Sequence, residues 1–133
     1  YQSAYEFLDG AKYYYSKGWY QKASFNLHQA CENYYYAINL VFTQQNSKQH
    51  NLSKLQMSVK KYSDELSKIF IKTIPEDKRL FKLVKSAYVE ARYNPDFVVT
   101  KEDIDALIPK VEKLGEVTKR ICEQRIKEYE EME

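Results

Sequence analysis

Apolar residues recur every three or four positions along most of the chain, which is the spacing of one face of an α-helix. This spacing predicts helices over about residues 3–16, 20–44, 52–59, 75–93 and 101–122, with a short helical turn starting at Ser63 or Asp64. The second segment is the longest regular one and keeps its apolar stripe for about six turns. Because the first two segments are joined by a short turn, we expect them to pack antiparallel. The predicted fold class is all-α, an up-and-down bundle of about five helices.

Residues that commonly begin or end helices lie at the boundaries of these segments. Gly18 after Lys17 predicts the end of the first helix, and Asn51 is a candidate N-cap for the third. Pro75 suits the first position of the fourth helix. Thr100, with Asp103 three residues later, predicts a capping box at the start of the fifth helix.

The last helix carries two residues that weaken helices, and its apolar stripe fades towards the C-terminus. Pro109 and Gly115 lie inside the pattern, so we expect a bent or loosened helix there. Beyond Cys122 the sequence becomes a run of charged residues with few apolar positions. We expect this segment to fray.

The composition narrows the class of protein. Three Gly and three Pro are too few for an all-β fold. The 21 basic and 19 acidic residues are interspersed and give a net charge of +2, which argues against a non-specific nucleic-acid binder but leaves room for a small basic pocket. No apolar run has membrane-spanning length, and Cys31 and Cys122 lie in apolar stripes without metal-ligand spacing. We expect one cytoplasmic domain, residues 1–133, forming the C-terminal part of a longer chain, since Tyr1 is not preceded by Met.

Thirteen tyrosines are many for this length, and six of them form two triplets, residues 13–15 and 34–36. Consecutive residues point in different directions around a helix, so each triplet serves two faces. Tyrosine suits surfaces where the ring is buried and the hydroxyl stays hydrated. The triplets therefore indicate either a Tyr-rich margin of the core or an interface.

Two polar residues on the second helix are candidates for ligand binding. His28 and Glu32 are four residues apart and lie on one line with Ser24, beside the apolar stripe. A salt bridge between them is the simpler interpretation, and hydrogen bonds to polar groups of a ligand are the alternative. A metal site would need further ligands, and His50, the only other histidine, lies at a loop boundary. No metal or cofactor is predicted.

Arg92 and Tyr93 end the fourth helix just before Asn94–Pro95. A cation is favoured at a helix C-terminus by the helix dipole, which is sufficient to explain an arginine there. The guanidinium also offers a fork of donors that suits a phosphate. Tyr93 is placed either to stack on a base or to cover the core.

The order of these features resembles the HEPN domain (higher eukaryotes and prokaryotes nucleotide-binding). The resemblance consists of long antiparallel helices, His-Gln-Ala-Cys-Glu on the second, His-Asn-Leu-Ser-Lys-Leu at the start of the third, and Ala-Arg-Tyr closing the fourth, and it covers about residues 4–114. It is greatest for the subgroup associated with a small nucleotidyltransferase domain. Ribonucleases of the family are similar to one another in an Arg and a His separated by four to six residues. Arg92 matches that Arg, but Phe97, Val98 and Val99 occupy the three positions at which the His is expected.

The resemblance implies three functions. The first is a non-catalytic domain that binds a nucleotide or polyanion through Arg92, Tyr93, His28 and Glu32, pairs with a second copy, and accompanies a nucleotidyltransferase domain. The second is a ribonuclease toxin of a toxin–antitoxin pair, degenerate or with a shifted general base such as His28. The third is a dimerisation module without a ligand.

Overall fold

The computed structural model describes residues 2–132 and contains five α-helices joined by short connections. They are α1 (Gln2–Ser16), α2 (Tyr20–Thr43), α3 (Leu52–Lys60), α4 (Pro75–Tyr93) and α5 (Lys101–Met132), with a 3₁₀ helix, Asp64–Lys68, between α3 and α4. The described residues contain no strand. The predicted all-α helical bundle is confirmed, and the predicted helix boundaries agree with these to within a few residues except at the C-terminus.

Helix α2 is the centre of the bundle and packs against α1, α3, α4 and α5. Its apolar stripe is buried because every side of that stripe meets a neighbouring helix: Ala23, Leu27, Cys31 and Ile38 have no exposed surface. Burying an aliphatic side chain of the size of Leu27 or Ile38 contributes about 1.5–3 kcal/mol. The stripe read from the sequence is therefore the core, and the polar line beside it faces α4.

The helix ends follow the residues that predicted them. Gly18 takes a left-handed backbone conformation (φ 74°) after α1, which residues with a Cβ rarely adopt. The Asn51 side chain accepts a hydrogen bond from the Lys54 amide and caps α3. At the start of α5 the Thr100 amide donates to Asp103 and the Asp103 amide donates to the Thr100 hydroxyl, both at 3.1 Å, so the capping box is confirmed.

The expected fraying beyond Cys122 is wrong, because α5 continues to Met132. Two contacts with α2 explain the difference. The Tyr129 hydroxyl donates to the Val41 carbonyl oxygen at 3.0 Å, and the Arg125 guanidinium lies 5.1 Å from the centre of the Phe42 ring. The charged segment is thus held by aromatic and polar contacts, which the spacing of apolar residues along the sequence does not reveal.

Gly115 allows α5 to approach a tyrosine of α2. A Cβ atom at this position would lie 2.6 Å from the Tyr34 hydroxyl oxygen, which is shorter than any ordinary contact. Helix α5 runs through both Gly115 and Pro109 as one element. Tyr34 and Tyr35 are buried while Tyr36 is half-buried, so this triplet serves two faces, as predicted.

Both cysteines are buried free thiols. Burial raises the pKa of Cys31 to about 12 and that of Cys122 to about 11, so neither is a reactive thiolate at neutral pH. No helix within residues 2–132 is long and apolar enough to cross a membrane.

Candidate functional site

His28 and Glu32 form a buried pair between α2 and α4. The His28 side chain is 1% exposed, with Nδ1 2.9 Å from the Val84 carbonyl oxygen of α4 and Nε2 3.3 Å from Glu32 Oε2. A carbonyl and a carboxylate both accept hydrogen bonds, so both imidazole nitrogens have acceptor partners. Both side chains are occupied inside the protein.

The second oxygen of Glu32 connects the buried pair to the surface. Glu32 Oε1 lies 3.8 Å from Nδ1 of His50, whose side chain is mostly exposed. The Tyr36 hydroxyl donates to the Gln49 carbonyl oxygen at 2.6 Å and lies 3.3 Å from the same His50 nitrogen. Partial burial, followed by the nearby Glu32 carboxylate, raises the pKa of Tyr36 well above its usual value. Tyr36 therefore stays protonated and acts as a donor.

Tyr88 of α4 separates the buried pair from Arg92. Its ring centre lies 5.2 Å from that of His28 on the inner side, and Phe25 of α2 stacks against it at 6.2 Å. Arg92, one helical turn later, places its guanidinium carbon 4.2 Å from the Tyr88 ring centre. The arginine thus rests on an aromatic surface, an arrangement favoured by the attraction of a cation for the ring face.

Arg92 is held by the main chain rather than by an acid. Its Nε donates to the Tyr88 carbonyl oxygen at 2.7 Å, which fixes the base of the guanidinium. Within residues 2–132 no carboxylate is paired with it, and it forms no hydrogen bond to Glu32. The terminal nitrogens Nη1 and Nη2 form no hydrogen bond within residues 2–132, and the residue is exposed.

The other three arginines are each neutralised by a carboxylate. Arg79 pairs with Glu76 and Asp103, Arg120 with Glu65, and Arg125 with Glu128. A guanidinium bound to a carboxylate has its fork of donors occupied. Arg92 is thus the one arginine in the described part of the chain that is left available to an external anion.

Tyr93 extends the exposed part of the site. Its side chain is 72% exposed, and its ring centre lies 5.0 Å from the Arg92 guanidinium carbon. A flat aromatic face beside a donor fork can contact a base and a phosphate of one ligand. The structure therefore divides the four residues predicted from the sequence into an exposed pair, Arg92 and Tyr93, and a buried pair, His28 and Glu32.

Four contributors to this region were missed by the sequence analysis: Phe25, Tyr36, His50 and Tyr88. Tyr88 was detectable, because a tyrosine four residues before an arginine lies beneath it on a helix. Phe25 and Tyr36 were not, because their roles depend on which face of α2 meets α4 and the α2–α3 loop. His50 was considered as a metal ligand and as part of the segment that resembles the family, but not as a neighbour of Glu32. Within the described residues no three His, Cys, Asp or Glu side chains come together to hold a metal ion.

The segment after α4 presents no titratable ring near Arg92. The Phe97 carbonyl oxygen accepts a hydrogen bond from the Gln21 side chain of α2, which fixes the segment to the bundle. Val98 is 76% exposed, and Val99 packs against the core. A cavity of about 400 Å³ between α1 and α5 is lined by none of the four predicted residues.

Comparison with known proteins gives one family. A family model described as HEPN domain matches residues 1–121 of the 133 in the chain. No curated protein matches the chain.

Proposed function

The chain belongs to the HEPN domain family, and we propose that this member binds the phosphates of a nucleotide or another polyanion without cleaving RNA. The observation that carries the proposal is Arg92, the arginine left without a carboxylate. A guanidinium whose two terminal nitrogens form no hydrogen bond within the described residues can donate to two phosphate oxygens at once. Tyr93 supplies a stacking face for a base beside it.

The buried pair supports this surface from beneath. His28 packs against Tyr88 and binds the Val84 carbonyl oxygen, so it fixes the ring on which Arg92 rests. Glu32 orients His28 through Nε2. In the proposed function, therefore, Arg92 and Tyr93 contact the ligand, while His28 and Glu32 are positioning residues.

A titration calorimetry experiment with ATP tests the proposal. Losing a hydrogen-bonded contact to a charged group costs about 1.5–3 kcal/mol, so Arg92→Ala should weaken binding roughly 10- to 150-fold. Arg92→Lys should recover part of the loss, because it restores the charge without the fork. Arg120→Ala is the matched control, since it removes an exposed arginine that pairs with Glu65. Equal affinity of Arg92→Ala and the wild type would reject the proposal.

The absence of a histidine in the window of the ribonuclease motif supports a non-catalytic role. Metal-independent RNA cleavage requires a group that transfers protons near neutral pH, and Phe97, Val98 and Val99 cannot do so. His28 is a poor substitute as general base, because both of its nitrogens are occupied and its side chain is buried. We expect no cleavage of a generic RNA in the absence of metal.

A ribonuclease with a shifted base is the second candidate, and one observation favours it. His50 is the exposed histidine, and its Nδ1 lies 3.8 Å from Glu32 Oε1 and 3.3 Å from the Tyr36 hydroxyl, while its Nε2 has no partner within residues 2–132. A histidine oriented by a carboxylate is a common general base. Cleavage of RNA that disappears in His50→Ala and in Arg92→Ala would favour this function over simple binding.

The resemblance to the nucleotidyltransferase-associated subgroup completes the proposal. We expect this helical domain to act together with a nucleotidyltransferase domain, either in the same chain or as a separate protein. We also expect it to form a homodimer that buries on the order of 1,000 Å² of surface. Sedimentation at increasing protein concentration measures the second expectation. A dimer that binds no ATP would favour the third candidate, an interaction module without a ligand.

A further inference from the structure

A second exposed surface lies at the turn between α1 and α2 and contains none of the residues of the Arg92 site. We define the aromatic–lysine surface as Tyr13, Tyr14, Lys17, Trp19 and Lys22. The rings adjoin one another, with centre-to-centre distances of 5.8 Å from Tyr13 to Tyr14 and 6.0 Å from Tyr14 to Trp19. Tyr13 is 55% exposed and Trp19 is 48% exposed. Two large aromatic side chains, Tyr13 and Trp19, are therefore exposed to solvent, and each adjoins Tyr14.

The two lysines lie over these rings. Lys17 Nζ is 5.7 Å from the centre of the Tyr13 ring, and Lys22 Nζ is 5.1 Å from that of Trp19 and 5.9 Å from that of Tyr14. Neither lysine pairs with a carboxylate anywhere in residues 2–132. The positive charge of this surface is thus not neutralised within the domain.

The sequence around this surface lacks acids. No Asp or Glu occurs from Gly10 to Cys31, and a second stretch without acids runs from Asn33 to Ser63. Asp105 of α5 accepts a hydrogen bond from the Tyr15 hydroxyl, next to this surface in the chain. The positive charge of the aromatic–lysine surface therefore comes from Lys17 and Lys22, which lie over its rings.

We infer that the aromatic–lysine surface binds single-stranded nucleic acid, with unpaired bases stacking on Trp19 and Tyr13 and with Lys17 and Lys22 contacting phosphates. Single-stranded nucleic acid combines flat apolar bases with a regular negative charge, and this surface combines flat rings with positive charge in the same way. A duplex hides the faces of its bases, so it fits only the lysines. The inference goes beyond the Arg92 site, because it uses different residues and a different contact.

An anionic membrane is the other partner to which tryptophan and lysine side chains often bind. Stable binding to a membrane needs an apolar face that inserts below the headgroups. This surface has no exposed aliphatic side chain among its members, and Tyr13 carries a polar hydroxyl. The composition of the surface therefore favours stacking over insertion.

Trp19 provides a direct readout, because it is the only tryptophan in the protein. Titration with a short oligouridylate RNA should quench its fluorescence, since a stacked base contacts the indole ring. Single-stranded DNA of matching length should quench it as well, because stacking does not depend on the sugar. A duplex of the same length should quench it weakly.

Three variants separate the contributions of stacking and of charge to binding. Lys17→Ala/Lys22→Ala keeps Trp19 and should weaken binding, with the slope of log affinity against log salt falling by roughly 1.4 for two lost phosphate contacts on a single strand. Trp19→Ala, followed by fluorescence anisotropy of a labelled oligonucleotide, should weaken binding at least about five-fold. Trp19→Phe keeps a ring and should recover part of that loss.

The matched control is Tyr5→Ala/Lys119→Ala, which removes one exposed tyrosine and one exposed lysine beside the cavity between α1 and α5. Its affinity for the oligonucleotide should equal that of the wild type. The inference is overturned by absent quenching at low salt, by equal losses in the control, or by duplex binding as tight as single-strand binding. A Trp19 emission shift with anionic lipid vesicles but not with oligonucleotide would also overturn it.

The outcomes for the two sites are separable. Arg92→Ala should abolish most ATP binding, and quenching of Trp19 by oligouridylate should persist. If ATP binds and the oligonucleotide does not, the inference fails and the proposed function stands. If the oligonucleotide binds and Arg92→Ala does not affect ATP binding, the proposed function fails and the inference stands.

Discussion

The two ends of α4 each carry an arginine, and only one of them is neutralised. Near the N-terminal end, Arg79 lies 2.7 Å from Glu76 Oε1 and 2.8 Å from Asp103 Oδ1. Beside it, Asp77 accepts from Lys110 Nζ at 2.7 Å. At the C-terminal end, Arg92 is held by a carbonyl oxygen and aromatic rings.

The difference shows how one helix serves both structure and binding. Asp103 and Lys110 belong to α5, so the charges at the N-terminal end of α4 cross-link two helices and are used within the fold. The charge of Arg92 forms no ion pair with another helix. It lies 5.5 Å from the centre of the Phe25 ring of α2 and is favoured locally by the helix dipole. A cation that is ordered without an internal counter-ion is suited to a partner that brings the negative charge.

The largest expected effect concerns His28 and Glu32, which are buried beneath the C-terminal end of α4. His28→Ala removes the donor for the Val84 carbonyl oxygen and leaves the Glu32 carboxylate buried without its partner. Such losses cost about 3 kcal/mol, which corresponds to a decrease in Tm of roughly 10 °C for a domain of this size. Thermal unfolding followed by circular dichroism measures it.

His50→Ala is the matched control, because that histidine is exposed and should change stability by less than about 0.5 kcal/mol. Equal melting of the two variants would mean that the buried pair contributes little. The C-terminal end of α4 would then lack the fixed support that we assign to His28 and Glu32.

An intermediate effect is expected at the N-terminal end in acid. Burial raises the pKa of Asp103, but hydrogen bonds from Thr100 and Arg79 outweigh it, and the net pKa is lowered. The pKa of Asp77 is lowered too, because bonds from Lys110 and the Ile71 amide outweigh its burial. A lowered native pKa gives stability that is present above the unfolded value, about 3.9, and is lost as the pH falls through the native value.

The free energy of unfolding should therefore decrease from about pH 5 towards about pH 2. Urea denaturation across this range measures it. Asp77→Asn/Asp103→Asn should be less stable at neutral pH and should show a flatter profile. If the free energy of unfolding of the double variant still depends on pH as strongly as that of the wild type, other carboxylates cause the dependence. The ion pairs of Asp77 and Asp103 would then contribute little to stability.

Most of the fold could be predicted because helix ends are encoded locally. Gly18, Asn51, Pro75 and the pair Thr100–Asp103 act within a few residues of themselves, and each appears where the pattern placed it. The C-terminal part of α5 could not be predicted in this way. Its stability depends on contacts across the bundle to α2, which no local pattern contains.

The candidate site shows the same division between local and tertiary information. Spacing on α2 correctly indicated that His28 and Glu32 contact each other, since residues four apart on a helix are neighbours. It did not indicate that both are buried, because that depends on which side of α2 meets α4. The lack of a carboxylate at Arg92 also depends on the packing of several helices.

The smallest effect on thermal stability should come from Arg92, at the C-terminal end of α4. Arg92→Ala removes a cation from a helix C-terminus and from the Tyr88 ring, interactions that each contribute less than about 1 kcal/mol at an exposed position. Arg79→Ala, the same substitution at the other end of α4, should cost more, because it leaves the nearly buried Asp103 carboxylate without a cation. Thermal melts of the two variants in one buffer measure the difference directly. A larger decrease in Tm for Arg92→Ala than for Arg79→Ala would mean that Arg92 is used by the fold, and the contrast between the two ends of the helix would no longer support a binding role.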